Sequence, residues 1–136
     1  NRVRMIVASY LVKHLRINWT EGEKHFRNCL LDFNKANNIA QWQWVAGCGA
    51  DAAPYFRIFN PILQGEKFDK EGLYVKKWVP ELSKVPNKFL HKPWEMELKY
   101  QEAIRTFIGK DYPKPIVVHE KARAAALEAF QSLKKK

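Results

Sequence analysis

Residues 35–49, KANNIAQWQWVAGCG, combine a helical pattern with a clear end. Apolar residues recur at spacings of three and four, as expected for the buried face of an amphipathic helix. Gly47 and Gly49 follow, and glycine commonly ends helices because it adopts a left-handed conformation without strain. We therefore predict a helix over residues 35–47. We expect its buried face to hold Ile39, Trp42, Val45 and Ala46.

Comparable apolar patterns on both sides of this stretch predict further helices. Thr20 and Glu23 match a capping box, in which each side chain bonds an amide at the start of a helix. Pro54 and Pro61 bracket a short element, and Gly109 is expected to end a helix that begins near Met96. The expected elements are helices at 2–15, 21–31, 72–79, 96–107 and 121–133, a short element at 55–60 and a loop at 86–93. The buried side of the second helix is expected to hold Phe26, Leu30 and Phe33.

Composition favours a helical protein with an anionic partner. No segment alternates as a strand does, so the predicted fold class is all-α. Lys and Arg number 24 against 14 Asp and Glu, a net charge of +10. Such an excess favours a polyanion, most often nucleic acid, although charges spread along helices are also typical of solvated faces.

The cellular setting is indicated by what the sequence lacks. Cys29 and Cys48 are not spaced as a metal site, and two such cysteines are expected to be buried, inert and in a reducing compartment. No run approaches a membrane span and no signal peptide is evident, which predicts a cytoplasmic protein. The chain opens in helical periodicity without Met, as expected for a piece of a longer polypeptide.

The usual signatures of hydrolases, metalloenzymes and nucleotide-binding loops are not found. The GCGAD run at 47–51 has too few glycines for a dinucleotide fingerprint and no strand before it. The four histidines have no partner pattern and are expected to be surface or capping residues: His14, His25, His91 and His119.

The aromatic residues of the central helix divide between two faces. Asn38 and Trp42 are four apart and share a face, whereas Trp44 points about 200° away from Trp42. Trp42 is either a core residue or a stacking or redox partner next to something that Asn38 also contacts. Trp44 is either an ordinary aromatic or a platform for stacking a base.

Two further pairs are candidates for a site. Arg4 and Asp32 form either a buried pair or two unrelated surface charges. Asn1 and Met5 share a helical face, and an amide beside a thioether suits the wall of a pocket that holds a heteroaromatic group.

Several stretches of the sequence match one protein family in order and spacing. They are NRVRM at 1–5, Trp19 with TEGE, LLDFNKANN at 30–38, WQW at 42–44, GADAAPYFRIFNPILQGEKFD at 49–69, WVPEL, HKPW and YPKPIV. These stretches strongly resemble the carboxy-terminal part of the photolyase and cryptochrome family. The resemblance covers nearly the whole chain and is closest to class I bacterial cyclobutane pyrimidine dimer photolyases.

The resemblance implies a light-driven DNA repair flavoenzyme. In this family, excited reduced FAD donates an electron to a pyrimidine dimer that has been flipped out of the duplex. It also implies a helical FAD-binding domain of which residues 1–136 are the carboxy-terminal part. The antenna domain with its second chromophore, of unknown identity, and the helices that hold the FAD phosphates would lie upstream. The partner is damaged DNA, and the protein is expected to be a monomer with no membrane contact.

The resemblance also assigns roles to individual residues. Trp42 and Trp19 match the inner and middle members of a tryptophan relay, and Asn38 matches the residue that faces flavin N5. The implied cofactor-binding residues are Arg4, Asp32, Phe33, Asn34 and Asn38. The implied substrate and DNA contacts are Asn1, Arg2, Val3, Arg4, Met5, Trp44 and Arg57.

One position departs from the family pattern. Asn34 stands where the family commonly has aspartate, so one negative charge near the flavin is absent.

Two alternative functions remain. One is a cryptochrome photoreceptor, against which Asn1, Met5 and Asn38 argue. The other is a folded helical module that holds no flavin.

Overall fold

The computed structural model of the protein describes residues 1–51 and 56–134. The all-α fold class is confirmed, because the described residues contain helices and turns and, beyond them, only an isolated bridge between Ile108 and Tyr112. A π-helical segment, Tyr10–His14, and three short 3-10 turns complete the described elements. The α-helices are α1 Arg2–Ser9, α2 Trp19–Cys29, α3 Lys35–Ala46, α4 Pro61–Phe68, α5 Leu73–Trp78, α6 Leu98–Ile104 and α7 His119–Lys134.

The chain divides into two compact units, each with its own core. Unit 1 comprises Asn1–Phe59 and Val117–Lys136, and unit 2 comprises Asn60–Ile116. The core of unit 1 contains Ala8, Trp42 and Val45, with α2 and α1 both packed on α3. The core of unit 2 contains Leu82, Val85, Leu90 and Met96.

The first predicted helix has nearly the expected extent but changes type within it. It runs as an α-helix to Ser9 and continues as the π-segment Tyr10–His14. The amide of Leu15 bonds the carbonyl of Tyr10 at 3.0 Å, five residues back. A π-turn adds one residue to an α-helix and is frequent at functional sites. The α7 helix packs against this π-segment.

The predicted capping box at the start of α2 is wrong. The helix begins at Trp19, and its cap is Asn18, whose Oδ1 accepts from the Thr20 amide at 3.1 Å. Asparagine is as good a cap as threonine, and it comes two residues earlier. Glu23 is therefore free to turn inward, where it is buried.

The short element predicted at 55–60 is also wrong as far as the structure describes it. Residue 55 lies outside the described residues, and residues 56–60 form no regular element. A helix that was not predicted begins directly after them at Pro61. Its cap is Asn60, whose Oδ1 accepts from the amides of Ile62 and Leu63. Proline at the first helical position is favourable because its missing amide would have no partner there.

The remaining helices agree with prediction except at one end. α3, α5 and α7 lie within about two residues of the predicted bounds. α6 ends at Ile104, before the predicted stop at Gly109, because Arg105 already adopts a left-handed conformation with φ of 54°. The loop predicted at 86–93 contains the 3-10 turn Asn87–Phe89.

Two predictions about single residues are wrong. Cys29 and Cys48 are exposed, because one is the last residue of α2 and the other follows the left-handed Gly47 that ends α3. His14 is buried, and its Nε2 forms a hydrogen bond with Nδ1 of His119 at 2.8 Å. The two rings meet because α7 packs on the π-segment. No helix among the described residues is both long and apolar enough to cross a membrane.

Candidate functional site

A pocket of about 180 Å³ lies in unit 1 between one face of α1 and one face of α3. The contributions of both helices follow helical spacing, at i, i+3, i+4 and i+7. The loop between α2 and α3 closes one side. The lining residues are Asn1, Arg4, Met5, Ala8, Phe26, Leu30, Asp32, Phe33, Asn34, Asn37, Asn38, Gln41, Trp42 and Val45.

Asn38 is held in the pocket wall by a buried glutamate. Its Nδ2 donates to the carbonyl oxygen of Glu23 at 3.0 Å and to Glu23 Oε1 at 3.2 Å. Both partners are acceptors, so they require the amide nitrogen on that side and leave Oδ1 as the end that Glu23 does not hold. Arg27 in turn donates to both carboxylate oxygens of Glu23, at 3.2 and 2.5 Å.

Trp42 forms the inner wall and is only 2% exposed. Its ring meets Phe26 edge to face, with centroids 5.0 Å apart. On its other side lies Gly22 of α2, where an added Cβ would come within 2.1 Å of Trp42 Cη2. Trp42 Nε1 is buried and has no hydrogen-bond partner among the described residues. Trp19 packs against the same core cluster, so the two tryptophans of the expected relay belong to one group of side chains.

Arg4 and Asp32 form the ion pair that the sequence left open, and it is exposed. Arg4 Nη2 donates to both Asp32 oxygens, at 2.8 and 3.1 Å, while the two side chains are 44% and 67% exposed. The hydrogen bond from Arg4 is the main cause that holds the pKa of Asp32 below its usual value. The pair therefore joins α1 to the loop after α2 at the rim of the pocket.

Asn34 has a local structural role in addition to lining the pocket. It is the N-cap of α3, and its Oδ1 accepts from the Asn37 amide at 3.0 Å. Asparagine and aspartate cap helices equally well, so the departure from the family pattern leaves this cap intact. What changes is the charge at the start of α3, which is neutral here.

The lining chemistry fits a planar heteroaromatic group. Apolar walls from Met5, Phe26, Leu30 and Trp42 face a rim of amides, which is the combination typical of sites for flat ligands with carbonyl and ring-nitrogen edges. The volume is below the roughly 300–1,000 Å³ of a pocket for a whole drug-sized ligand. Among the described lining residues the only cation is Arg4, which Asp32 already engages. The pocket thus suits a ring rather than a phosphate.

Five of the residues assigned by resemblance lie outside the pocket. Arg2 and Val3 are exposed on α1. Trp19 and Trp44 are partly buried against the core cluster. Arg57 is exposed, and its guanidinium lies over the ring of Phe59 with 4.4 Å to the centroid.

Several residues of this wall were not predicted from the sequence. Asn37 and Gln41 continue the face defined by Asn38 and Trp42, so extending the spacing of three and four would have found them. Glu23 left no comparable signal, since its contact with Asn38 depends on how α2 packs on α3.

Comparison with known proteins adds independent evidence. The sequence pattern of the FAD binding domain of DNA photolyase matches residues 1–132. A deoxyribodipyrimidine photo-lyase from Agrobacterium fabrum is 58% identical over 135 residues, which are 99% of this chain and 28% of that protein. The chain therefore spans little more than a quarter of the length of the curated relatives it matches.

Solved structures agree with the sequence relatives. A bacterial class III photolyase from Agrobacterium tumefaciens matches with a TM-score of 0.93 and 58% identity, covering 100% of this chain and 28% of that one. A Synechocystis cryptochrome matches with a TM-score of 0.87 and 37% identity, covering 94% of this chain and 26% of that one. The resemblance pointed to class I, whereas the Agrobacterium structure is of class III; both are photolyases. With the domain pattern spanning nearly its whole length, the chain belongs to the family of FAD-binding domains of DNA photolyases.

Proposed function

We propose that this chain is the carboxy-terminal part of a deoxyribodipyrimidine photo-lyase and that its pocket holds the flavin ring of FAD. The observation that carries the proposal is the meeting of Asn38 and Trp42 in one amide-rimmed, apolar pocket. The bound FAD would supply light-driven electron transfer to a pyrimidine dimer in DNA. A second, light-harvesting chromophore is expected in the part of the protein outside this chain.

Asn38 would fix the edge of the flavin ring. Because Glu23 holds Nδ2, the amide presents Oδ1 as an acceptor for a ring N–H. Asp32, Phe33 and Asn34 would contact the ring and the adjoining chain from the loop between α2 and α3. Arg4, held by Asp32, would lie beside them as a fixed positive charge.

Trp42 and Trp19 would pass electrons toward the flavin. An indole is the side chain most easily oxidised while it remains packed, and both indoles belong to the core cluster of unit 1. Trp42 is buried, and its contacts with Gly22 and Phe26 would fix the position of its ring relative to a bound flavin.

The DNA side would be formed by residues around the open rim of the pocket and on nearby surfaces. Asn1 and Met5 line the pocket at the start of α1, where a flipped-out dimer could contact them. The other proposed DNA contacts are Arg2, Val3, Arg4, Trp44 and Arg57. The net charge of +10 favours such a polyanionic partner. Exposed free thiols at Cys29 and Cys48 suit the reducing cytoplasm that the sequence predicts.

A cryptochrome function is the alternative, since a Synechocystis cryptochrome has the same fold. The two functions separate on repair, because a photoreceptor needs no contact with a dimer. Light-dependent loss of dimers from DNA, absent in the dark, is the result expected for a photolyase.

The relay role is tested by Trp42→Phe in the full-length protein with FAD bound. We expect the substitution to block light-driven reduction of the flavin, followed by its absorption spectrum, because phenylalanine is not readily oxidised. Repair should persist once the flavin is reduced chemically. Trp94→Phe is the matched control, since Trp94 is 40% exposed and lies in unit 2. Loss of both photoreduction and repair, or photoreduction at the wild-type rate, would contradict the relay role.

A further inference from the structure

Lys13 is a buried lysine in the π-segment. It is 5% exposed, and none of the ion pairs found in the described part of the chain includes it. Burial, followed by the nearby charge of Arg57, lowers the pKa of Lys13 from its usual 10.5 to about 8. Burying an ammonium group without a carboxylate is unfavourable, so an apolar side chain would serve packing alone better.

The ammonium group of Lys13 instead holds a particular piece of backbone. Its Nζ donates to the carbonyl oxygen of Arg57 and lies 4.6 Å from the centroid of the Phe56 ring. The Phe56 ring stacks on Phe130 of α7, with centroids 4.3 Å apart and planes within 7°. Residue 56 is thus fixed from two sides.

Residue 59 is held by Ser9, the last residue of α1, which continues directly into the π-segment that contains Lys13. Its amide donates to Ser9 Oγ at 3.3 Å, and Ser9 is 1% exposed. The Phe59 ring is itself buried. Residues 56–59 have no regular secondary structure, so these side-chain contacts from Ser9 and Lys13 take over the role that a helix or sheet ladder usually has.

The residue between these anchors is Arg57. Its backbone carbonyl is held by Lys13, its guanidinium rests on the Phe59 ring, and its side chain is exposed. No ion pair among the described residues involves Arg57, so none of the described carboxylates neutralises the neighbouring charges of Lys13 and Arg57. A planar guanidinium held in one orientation is suited to bidentate binding of a phosphate.

We propose that Lys13 is a positioning residue that holds Arg57 for a phosphate of the DNA backbone. This inference rests on the proposed photolyase function. Lys13 itself is too buried to reach the phosphate, so it acts through the Arg57 backbone. Fixing Arg57 in advance lowers the conformational entropy lost when DNA binds.

A double-mutant cycle tests the proposal in the full-length, FAD-bound protein. Lys13→Met, Arg57→Ala and the double variant would be titrated with a duplex that carries one pyrimidine dimer, at several salt concentrations. For Arg57→Ala we expect about tenfold weaker binding, as for the loss of one hydrogen bond to a charged group, and a salt slope smaller by about one phosphate contact. Lys13→Met should also lower the binding affinity and the salt slope. The double variant should be no weaker than Arg57→Ala alone, because Lys13 acts through Arg57.

Matched variants separate positioning from general effects. Lys24→Met removes the same charge from an exposed position on α2, and we expect it to leave the salt slope unchanged. Ser9→Ala removes the other anchor and should weaken binding in wild type but not in Arg57→Ala. The flavin spectrum, recorded for every variant, tests whether unit 1 remains folded.

Three results would overturn the inference. Losses that multiply in the double variant would show that Lys13 and Arg57 act independently. Unchanged binding in Lys13→Met or in Arg57→Ala would remove the positioning role or the phosphate contact. An equal loss in Lys24→Met would assign the effect to overall charge. The proposed function fails separately, if the wild-type protein binds FAD but repairs no dimers in light.

Discussion

Asn38 lies in the wall of the pocket, where Glu23 of the neighbouring helix holds its amide nitrogen. Its spacing from Trp42 placed both on one helical face, and the structure brings both to one pocket. The sequence could not show that Glu23 holds the Asn38 amide, because that contact joins residues 15 apart on two helices. Glu23 was instead assigned to a cap, since local spacing alone cannot separate a capping glutamate from one that turns into the core.

His14 is a buried residue of unit 1 whose protonation is linked to folding. It is buried against Tyr10 and His119, and burial, followed by the charge of His119, lowers its pKa below the usual 6.5. The unfolded chain then binds the proton more readily than the folded one. Stability from this group is therefore complete above pH 6.5 and is lost as the pH falls below it.

We expect His119→Gln to weaken this pH dependence. Glutamine removes the neighbouring charge, so the pKa of His14 moves back toward 6.5 and the folded and unfolded chains bind protons more equally. Urea unfolding at about pH 7.5 and 5.5 measures the change, and the loss of unfolding free energy on acidification should be smaller in the variant. Equal losses in both proteins would show that the two rings are not coupled.

At the scale of elements, the contact between α2 and α3 depends on a glycine. Gly22 lies against the face of the Trp42 ring, and a methyl group there would come 2.1 Å from Cη2. We expect Gly22→Ala to lower the free energy of unfolding by about 1–3 kcal/mol through overpacking. It should also displace Trp42, and denaturant unfolding with flavin photoreduction would measure both effects.

Gly47→Ala is the comparison for that prediction. Gly47 has φ of 76° and open space around it, so alanine there meets backbone strain and no side chain. We expect a loss of about 1–2 kcal/mol with photoreduction unchanged. If Gly22→Ala also left photoreduction unchanged, Trp42 would not depend on that close contact.

Helix boundaries were predictable where one residue decides them. Gly47 ended α3 as its type predicts, whereas Arg105 ended α6 in a left-handed conformation that arginine rarely adopts. Asn60 and Pro61 are a good helix start, yet the proline was interpreted as the end of an element before it. The π-segment left no local pattern, because its extra residue is accommodated by packing against α7 and residues 56–59.

At the scale of the whole molecule, the pocket has room for only part of a ligand as large as a flavin dinucleotide. Its volume of about 180 Å³ and its single, engaged arginine leave no evident place for the phosphates among the lining residues described. The relatives are more than three times as long as this chain. The resemblance predicts that helices outside this chain hold the FAD phosphates, a prediction that composition alone could not make.

We therefore expect the isolated 136-residue chain to bind FAD weakly, and no better than it binds riboflavin. Both ligands carry the ring, and only FAD carries the phosphates and adenine. Fluorescence titration measures the two affinities, with Asn38→Ala as the variant that should weaken both. Submicromolar binding of FAD, or a clear preference for FAD over riboflavin, would contradict a ring-only pocket.

The π-segment links the pocket face of α1 to the residues that hold Arg57 within one continuous helix. Each residue of an α-helix turns the side-chain direction by about 100°, so deleting one residue from Tyr10–His14 would rotate one end of the helix against the other. Arg4 and Met5 could then face the pocket only if Lys13 turned away from the Arg57 carbonyl. A substitution in this segment alters one contact, whereas a change of chain length would separate two surfaces at once. Insertions and deletions here should therefore be far rarer among functional relatives than substitutions.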